Sequence, residues 1–314
     1  MKRNISLPQL WAIFLIALTL GLQSCNRDDH PVTPSNEVTD KGHGEWAKVE
    51  FIFKEGHLHG ETFHGDPDYP DHIKYFKRTQ KITFSYNKEG NVVADTDQPI
   101  YFLGGNSYAL IINYYNNKGE LMNHEFVDGD MAKIHQHFFY AQDVVATKAG
   151  SRKDPTKPYL FNYVYRDTDP YDQDYNPKSD EVKIRKRQWD ASNPSAKDPI
   201  GLKGYITIPS NTYYQKFNLK VVLAHFKVDN KLNKNTNQPY HFNDKVNSFF
   251  SASDLSLEIP VNIYSSINLQ ETEELKRDYF FPDAAAAFNA TVEEIEEMYN
   301  LIFELDPEGS PFWL

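Results

Sequence analysis

The chain has 314 residues, a formal charge of −11 at neutral pH and a single cysteine. An acidic balance of this size excludes nucleic acid and anionic membrane as the main binding surfaces, because both repel it. One cysteine excludes an internal disulfide, and the length is ample for a substantial hydrophobic core.

The N-terminus reads as an export signal. Lys2 and Arg3 precede a nearly continuous apolar run from Leu10 to Leu22, too short to span a bilayer and suited to the core of a signal peptide. It ends in Leu22-Gln23-Ser24-Cys25, which resembles a bacterial lipobox and makes Cys25 the expected lipidation site after removal of residues 1–24. That removal deletes Lys2 and Arg3 and no acidic residue, taking the charge from −11 to −13. The following Asp28-Asp29 resembles the signal that sends Bacteroidetes lipoproteins to the outer face of the outer membrane. Residues 25–44 are rich in Asp, Pro, Thr, Ser, Asn and Gly and predict a flexible tether. No later apolar run approaches a membrane span, so the expected membrane attachment is the lipid alone.

Beyond the tether, aromatics alternate with Val and Ile in short runs, including twenty Tyr and twenty-one Phe over the whole chain. The pattern predicts strands at Lys48 to Lys54, Lys81 to Tyr86, Tyr108 to Tyr115, Tyr159 to Tyr165, Gly204 to Ile208, Phe217 to Phe226 and Leu255 to Ile263. Asn87-Lys88-Glu89-Gly90 and Asn116-Asn117-Lys118-Gly119 are turn sequences between them, with a weaker one at Val228-Asp229-Asn230. With no βαβ alternation, the expected fold is mainly β, as two antiparallel β-sandwich (Ig-like) domains at residues 45–150 and 151–267. The boundary is placed in the charged, Pro-containing stretch Ala146 to Lys157.

A second irregular segment, Asp167 to Pro199, carries Asp167, Asp169, Asp172 and Asp174 but lacks the glycine and terminal glutamate of an EF-hand loop, so a solvated turn is expected over calcium. Residues 268–314 form a C-terminal helical segment: a short helix over Glu271 to Phe280, then a run to Leu305 opened by the capping box Thr291-Val292-Glu293-Glu294 and stopped by Pro307 and Gly309. Helices packed on the sandwich are expected, with the tail Pro311-Phe312-Trp313-Leu314 docked on its own domain.

The chemistry concentrates in histidine. Eight of the eleven lie between His43 and His137, with two His-x-His pairs at His57-Leu58-His59 and His135-Gln136-His137. On a strand, residues i and i+2 share a face, so each pair presents two imidazoles together. Two such pairs on neighbouring strands predict one transition-metal site with His57, His59, His135 and His137 as ligands. His64 and His225 are supporting candidates, His225 alone reading more readily as a core histidine. A donor set of imidazoles without cysteine suits Zn, Cu, Ni or Fe. His124-Glu125-Phe126 lacks the second histidine of a zincin, Glu61 and Thr62 replace the Asp and His of His-x-His-x-Asp-His, and no Gly-x-Ser-x-Gly elbow or phosphate loop occurs, so an enzyme is not expected.

His57-Leu58-His59-Gly60 with Phe63-His64-Gly65, Lys118 to Asn123 running into Glu125-Phe126, and above all His135-Gln136-His137-Phe138-Phe139 resemble uncharacterised Bacteroidetes His-rich surface lipoproteins associated with TonB-dependent receptors. The resemblance continues through Tyr163 to Thr168, Gly201 to Tyr205 and Phe217 to His225, and stops before the helical segment. It implies an outer-membrane, lipid-anchored, surface-exposed protein that passes a metal ion or metal chelate, or haem, to a TonB-dependent outer-membrane receptor. Three readings therefore leave the sequence: a transition-metal (Zn, Cu or Fe) binding lipoprotein, a haem-binding lipoprotein using the same histidines or a tyrosine, and a cofactor-free receptor-accessory module.

Overall fold

A computed structural model of the chain describes residues 42–65, 76, 78–175, 185–187, 189, 198–226, 231–233, 236, 238–244, 250–301 and 314. The segment expected to be a signal peptide, Cys25 and Asp28-Asp29 lie outside the described residues, as do residues 302–313. Among the described residues no helix is long and apolar enough to cross a membrane.

Among the described residues there are fifteen strands: β1 (Lys48–His59), β2 (Thr62–His64), β3 (Thr79–Tyr86), β4 (Val92–Ala94), β5 (Ile100–Gly104), β6 (Ser107–Tyr115), β7 (His135–Ala146), β8 (Asn162–Tyr165), β9 (Thr168–Asp169), β10 (Arg185–Lys186), β11 (Lys203–Thr207), β12 (Gln215–Phe226), β13 (Leu232–Asn233), β14 (Gln238–Pro239) and β15 (Phe250–Ser266). The larger sheet runs β4-β3-β1-β6-β11-β8, with β2 added to the end of β1, and the smaller runs β5-β15-β12-β7. Pairing is antiparallel throughout except between β15 and β5. The fold is mainly β, as its alternating pattern predicts.

Alternation decides which side chains enter the core. On β1, Val49, Phe51 and Phe53 are wholly buried while Lys48, Glu50 and Ile52 alternate with them. On β12 and β15, Phe217, Leu219, Val221 and Leu223 meet Leu255, Leu257, Ile259, Val261 and Ile263 in the same core. Aromatic rings join the two sheets across the interior: Phe53 lies 5.7 Å from Phe102, and Phe139 4.2 Å from Tyr163, between ring centroids. Each such fully buried ring stabilises the fold by roughly 1.5–3 kcal/mol.

These pairings correct the division into two sandwiches. β8 and β11, from beyond residue 151, pair into the larger sheet through β6; β5 and β7, from before residue 150, pair into the smaller one with β15 and β12. The described residues fall in one compact unit with one main inter-sheet core. The physical reason is that neither half has enough strands of both sheets to cover its own apolar face, so the halves interleave. Charged composition at Ala146 to Lys157 marks the loop after β7, where the chain crosses from one sheet to the other.

Helical turns at Ile267–Gln270, Glu273–Leu275 and Lys276–Phe280 lead into a helix at Phe281–Phe288, longer than the sequence suggested because Ala284 to Ala287 continue it. Asn289, at φ +53°, ends it in the left-handed conformation. The capping box of the next helix, Val292–Leu301, is formed: Thr291 N donates to Glu294 Oε2 at 2.8 Å, and Glu294 N to Thr291 Oγ1 at 3.2 Å. Phe280, Phe281, Ile295 and Tyr299 form a second core with Leu103 and Tyr264 from β5 and β15. Leu314 is buried against Phe63, Ala109 and Tyr205 and exchanges two backbone hydrogen bonds with Phe63.

Asp167 is not a cation ligand in a loop. Its carboxylate is buried and accepts four backbone hydrogen bonds, from Ile200 and Gly201 on Oδ2 and from Leu202 and Lys203 on Oδ1, at 2.7 to 3.1 Å. This ties the start of the irregular segment to its end. Asp167→Ala should leave those donors unpaired and lower the free energy of unfolding by about 3 kcal/mol, measured by denaturant titration. An unchanged midpoint would show that water replaces the carboxylate at no cost.

Candidate metal centre

Three neighbouring strands of the smaller sheet bring the central groups together. His135 opens β7 and stands directly across from His225 near the end of β12, so the two imidazoles share the interior face, with ring centroids 4.7 Å apart. Asp254 comes from β15, on the other side of β12. Leu255 pairs with Leu223 and faces the core, so strict alternation would turn Asp254 outward. The register instead jumps from Leu223↔Leu255 to Ala224↔Ser253, leaving Asp254 as the extra residue of a β-bulge. A bulge of this kind re-aims a side chain, and here the Asp254 carboxylate is buried.

His43 completes the group from the segment before β1. Trp46 Nε1 donates to Asp254 O at 2.8 Å and Gly44 N to Glu125 Oε2 at 2.6 Å, which fix that segment against the sheet. The last residues assigned to a flexible tether are thus held in place. Phe126 closes the site from the 3₁₀ turn Asn123–Phe126, its ring centroid 4.9 Å from His43 and 5.4 Å from His135.

The three rings converge on one atom. Asp254 Oδ2 lies 3.2 Å from His43 Nε2, 3.2 Å from His135 Nε2 and 3.1 Å from His225 Nδ1. None of the four side chains is more than 2 % exposed. A tetrahedral ion with bonds of about 2.0–2.1 Å has ligand–ligand edges of about 3.3–3.4 Å, close to these separations. Tautomers are set by the far side of two rings: His135 Nδ1 lies 2.9 Å from Met131 O and His43 Nδ1 2.8 Å from Gly44 O. A carbonyl only accepts, so both Nδ1 atoms carry hydrogen, and in the neutral rings both Nε2 lone pairs point at the carboxylate. Lone pairs facing an anionic oxygen repel unless a cation lies between them.

Electrostatics point the same way. Burial lowers His135 to about 4 against the opposing pull of Asp254, so a proton is a poor occupant of that space. Burial alone would raise Asp254, but the imidazoles of His135, His225 and His43 around it outweigh it and hold the carboxyl well below the usual carboxylate range. The arrangement is a buried carboxylate with three imidazoles around it, able to hold a metal ion.

His137 does not join them. Its Nδ1 donates to Ile200 O at 3.0 Å and its Nε2 accepts from Tyr114 Oη at 2.7 Å, so a neutral ring is satisfied on both sides and bridges the two sheets. The single site expected from both His-x-His pairs is therefore corrected. β1 belongs to the larger sheet and β7 to the smaller, and β1 runs past the core before its histidines begin. His57 and His59 instead group with His64, which stands across the hairpin from His57. His225, read as a core histidine when taken alone, is in the centre. His43 and Asp254 were missed, and no spacing rule marks either one.

No family model, curated protein or solved structure matches this chain. The chemistry of the site therefore rests on its own geometry.

His137, lowered to about 3 chiefly by burial, yields a pH prediction for the metal-free protein. Its folded value lies below the unfolded value of about 6.5, as does that of His135, so the unfolded chain takes up these protons first. Stability should be full above pH 6.5 and fall as pH drops toward 4, by about 1.4 kcal/mol per pH unit for each imidazole. Denaturant unfolding at a series of pH values measures the slope; a flat profile between pH 6 and 4 would mean that the rings are hydrated.

Proposed function

We propose that this protein is a lipid-anchored, cell-surface binding protein for a transition metal, held by His43, His135, His225 and Asp254 and serving uptake with a TonB-dependent outer-membrane receptor. The observation that carries the metal reading is the convergence of three imidazole nitrogens on Asp254 Oδ2 at 3.1 to 3.2 Å. Two of the three rings donate their far N–H to a backbone carbonyl, the outer-shell arrangement that orients metal-bound histidine. Three nitrogens and one carboxylate oxygen in a tetrahedral set favour zinc, with copper or iron as weaker fits.

Binding is favoured over catalysis at this centre, because four protein ligands fill a tetrahedral ion and leave no position for a substrate. Haem fits it less well. A porphyrin already supplies four equatorial nitrogens, and side-chain donors all within 4.8 Å of one another cannot straddle its plane as a set of four. The surface location and the receptor partner rest on the lipobox at Cys25, the acidic pair Asp28-Asp29 and the resemblance to receptor-associated lipoproteins.

Purified protein should carry about one tightly held metal ion per chain by elemental analysis, without a Soret band. His225→Ala or Asp254→Ala should remove it, while His137→Ala should leave the metal content unchanged and lower stability. Metal retained by both site variants, or a Soret band in the parent, would overturn the assignment. For the anchor, Cys25→Ser should abolish lipid labelling and release the protein from the membrane fraction; labelling that survives would refute it.

A further inference from the structure

The His57, His59 and His64 group is built differently from the buried centre. β1 leaves the larger sheet after Gly56, which pairs with Ser107, and turns back through Gly60 and Glu61 to pair with β2. Gly60 takes φ +63° at that turn, and Gly56 allows the close return: a Cβ there would meet His64 O at 2.3 Å and the Phe63 ring at 2.4 Å. One face of the hairpin is apolar, with Leu58 opposite Phe63 and docked on Ala109, Tyr205 and Leu314. The other carries His57 opposite His64, and His59 opposite Thr62. Arg166 Nη2 and Tyr205 Oη both donate to Glu61 O, at 2.7 and 2.9 Å, so the turn is clamped in position.

The three imidazoles share one small space. His57 Nε2 and His59 Nε2 are 2.9 Å apart, and one nitrogen from each of the three rings lies within 4.8 Å of the others. His64 is buried, His57 is half-buried and His59 is exposed. Among the described residues the donor set is three nitrogens, with exposed His59 on the solvent side, which makes an incomplete tetrahedron, the form that keeps an exchangeable fourth position. A cation stands beside that face: Lys186 Nζ is 3.5 Å from Thr62 Oγ1, and Thr62 is the residue directly across from His59. Burial, then the neighbouring Arg166, lowers Lys186 to about 8, so it remains mostly charged at neutral pH.

We propose that His57, His59 and His64 form a second, exchangeable metal site whose open position takes a carboxylate oxygen of a small metal chelate, with Lys186 meeting the chelate's negative charge. This deepens the metal-binding reading and rests on it: the buried centre retains its ion, and the hairpin handles cargo. A cation next to a metal would repel a bare ion, and it becomes favourable when an anionic co-ligand bridges the two.

Cobalt(II) added to the full metal-free protein, with oxalate as the carboxylate probe, tests both parts. Two equivalents should bind, one resistant to a brief chelator wash and one removed by it. His57→Ala with His59→Ala should lose only the washable equivalent, and the retained one reports that the variant is folded. Oxalate should shift the visible spectrum of the washable cobalt and tighten it by about tenfold, as a charge-assisted contact allows. Lys186→Met should cancel that tightening while changing cobalt affinity without oxalate by less than about twofold. A washable equivalent that persists in the double variant, or equal oxalate tightening with and without Lys186, overturns the proposal. Loss of the retained equivalent in the parent would instead refute the buried centre.

Discussion

A carboxylate buried between two β-sheets is the constraint around which this structure is arranged. Removing an ionised group from water costs several kcal/mol unless opposite charge and hydrogen bonds replace the solvent. Asp254 has three imidazole nitrogens within 3.2 Å of its Oδ2. Imidazoles neutralise a carboxylate only by holding a proton or a metal ion, and burial works against the proton on His135. A divalent ion would satisfy the carboxylate and the lone pairs at once. It would also join β7, β12, β15 and the segment before β1, so that metal binding and the closure of one end of the sandwich become a single event.

The two histidine groups divide along lines that their surroundings set. In the interior, strand pairing, a bulge and the segment before β1 bring together three imidazoles and a carboxylate and Phe126 covers them, which suits retention of an ion. At the hairpin, the imidazoles come from the end of the long strand β1 and from the short β2, one side is accessible, and Lys186 waits near the rim. Affinity that is too tight prevents release, so a protein that passes metal onward needs an open site as well as, or instead of, a closed one. His137 links neither group; its two hydrogen bonds fasten the sheets to each other between them.

Much of this was legible in the chain, and the parts that were not share a cause. Alternation in Lys48 to Lys54, Phe217 to Phe226 and Leu255 to Ile263 gave the strands correctly because alternation is a local property. The same-face rule held for His57 with His59. Which strands pair is not local: Tyr108 to Tyr115 joins strands from both halves of the chain, and so the two expected domains became one sandwich. Histidine spacing gave no means to separate His135 from His137, whose partners come from Met131 and Asp254 in one case and from Ile200 and Tyr114 in the other. Asp254 sits in Ser253-Asp254-Leu255, where alternation turns it to solvent, and only the register jump reverses that. His43 lay in a stretch whose composition predicts a tether.

X-ray absorption at the metal edge of the purified protein tests the central claim most directly. The account predicts a four-coordinate ion with three imidazole nitrogens and one carboxylate oxygen at about 2.0–2.1 Å, and loss of the oxygen contribution in Asp254→Ala. A six-coordinate shell of water oxygens, or a shell unchanged by the loss of Asp254, would contradict it.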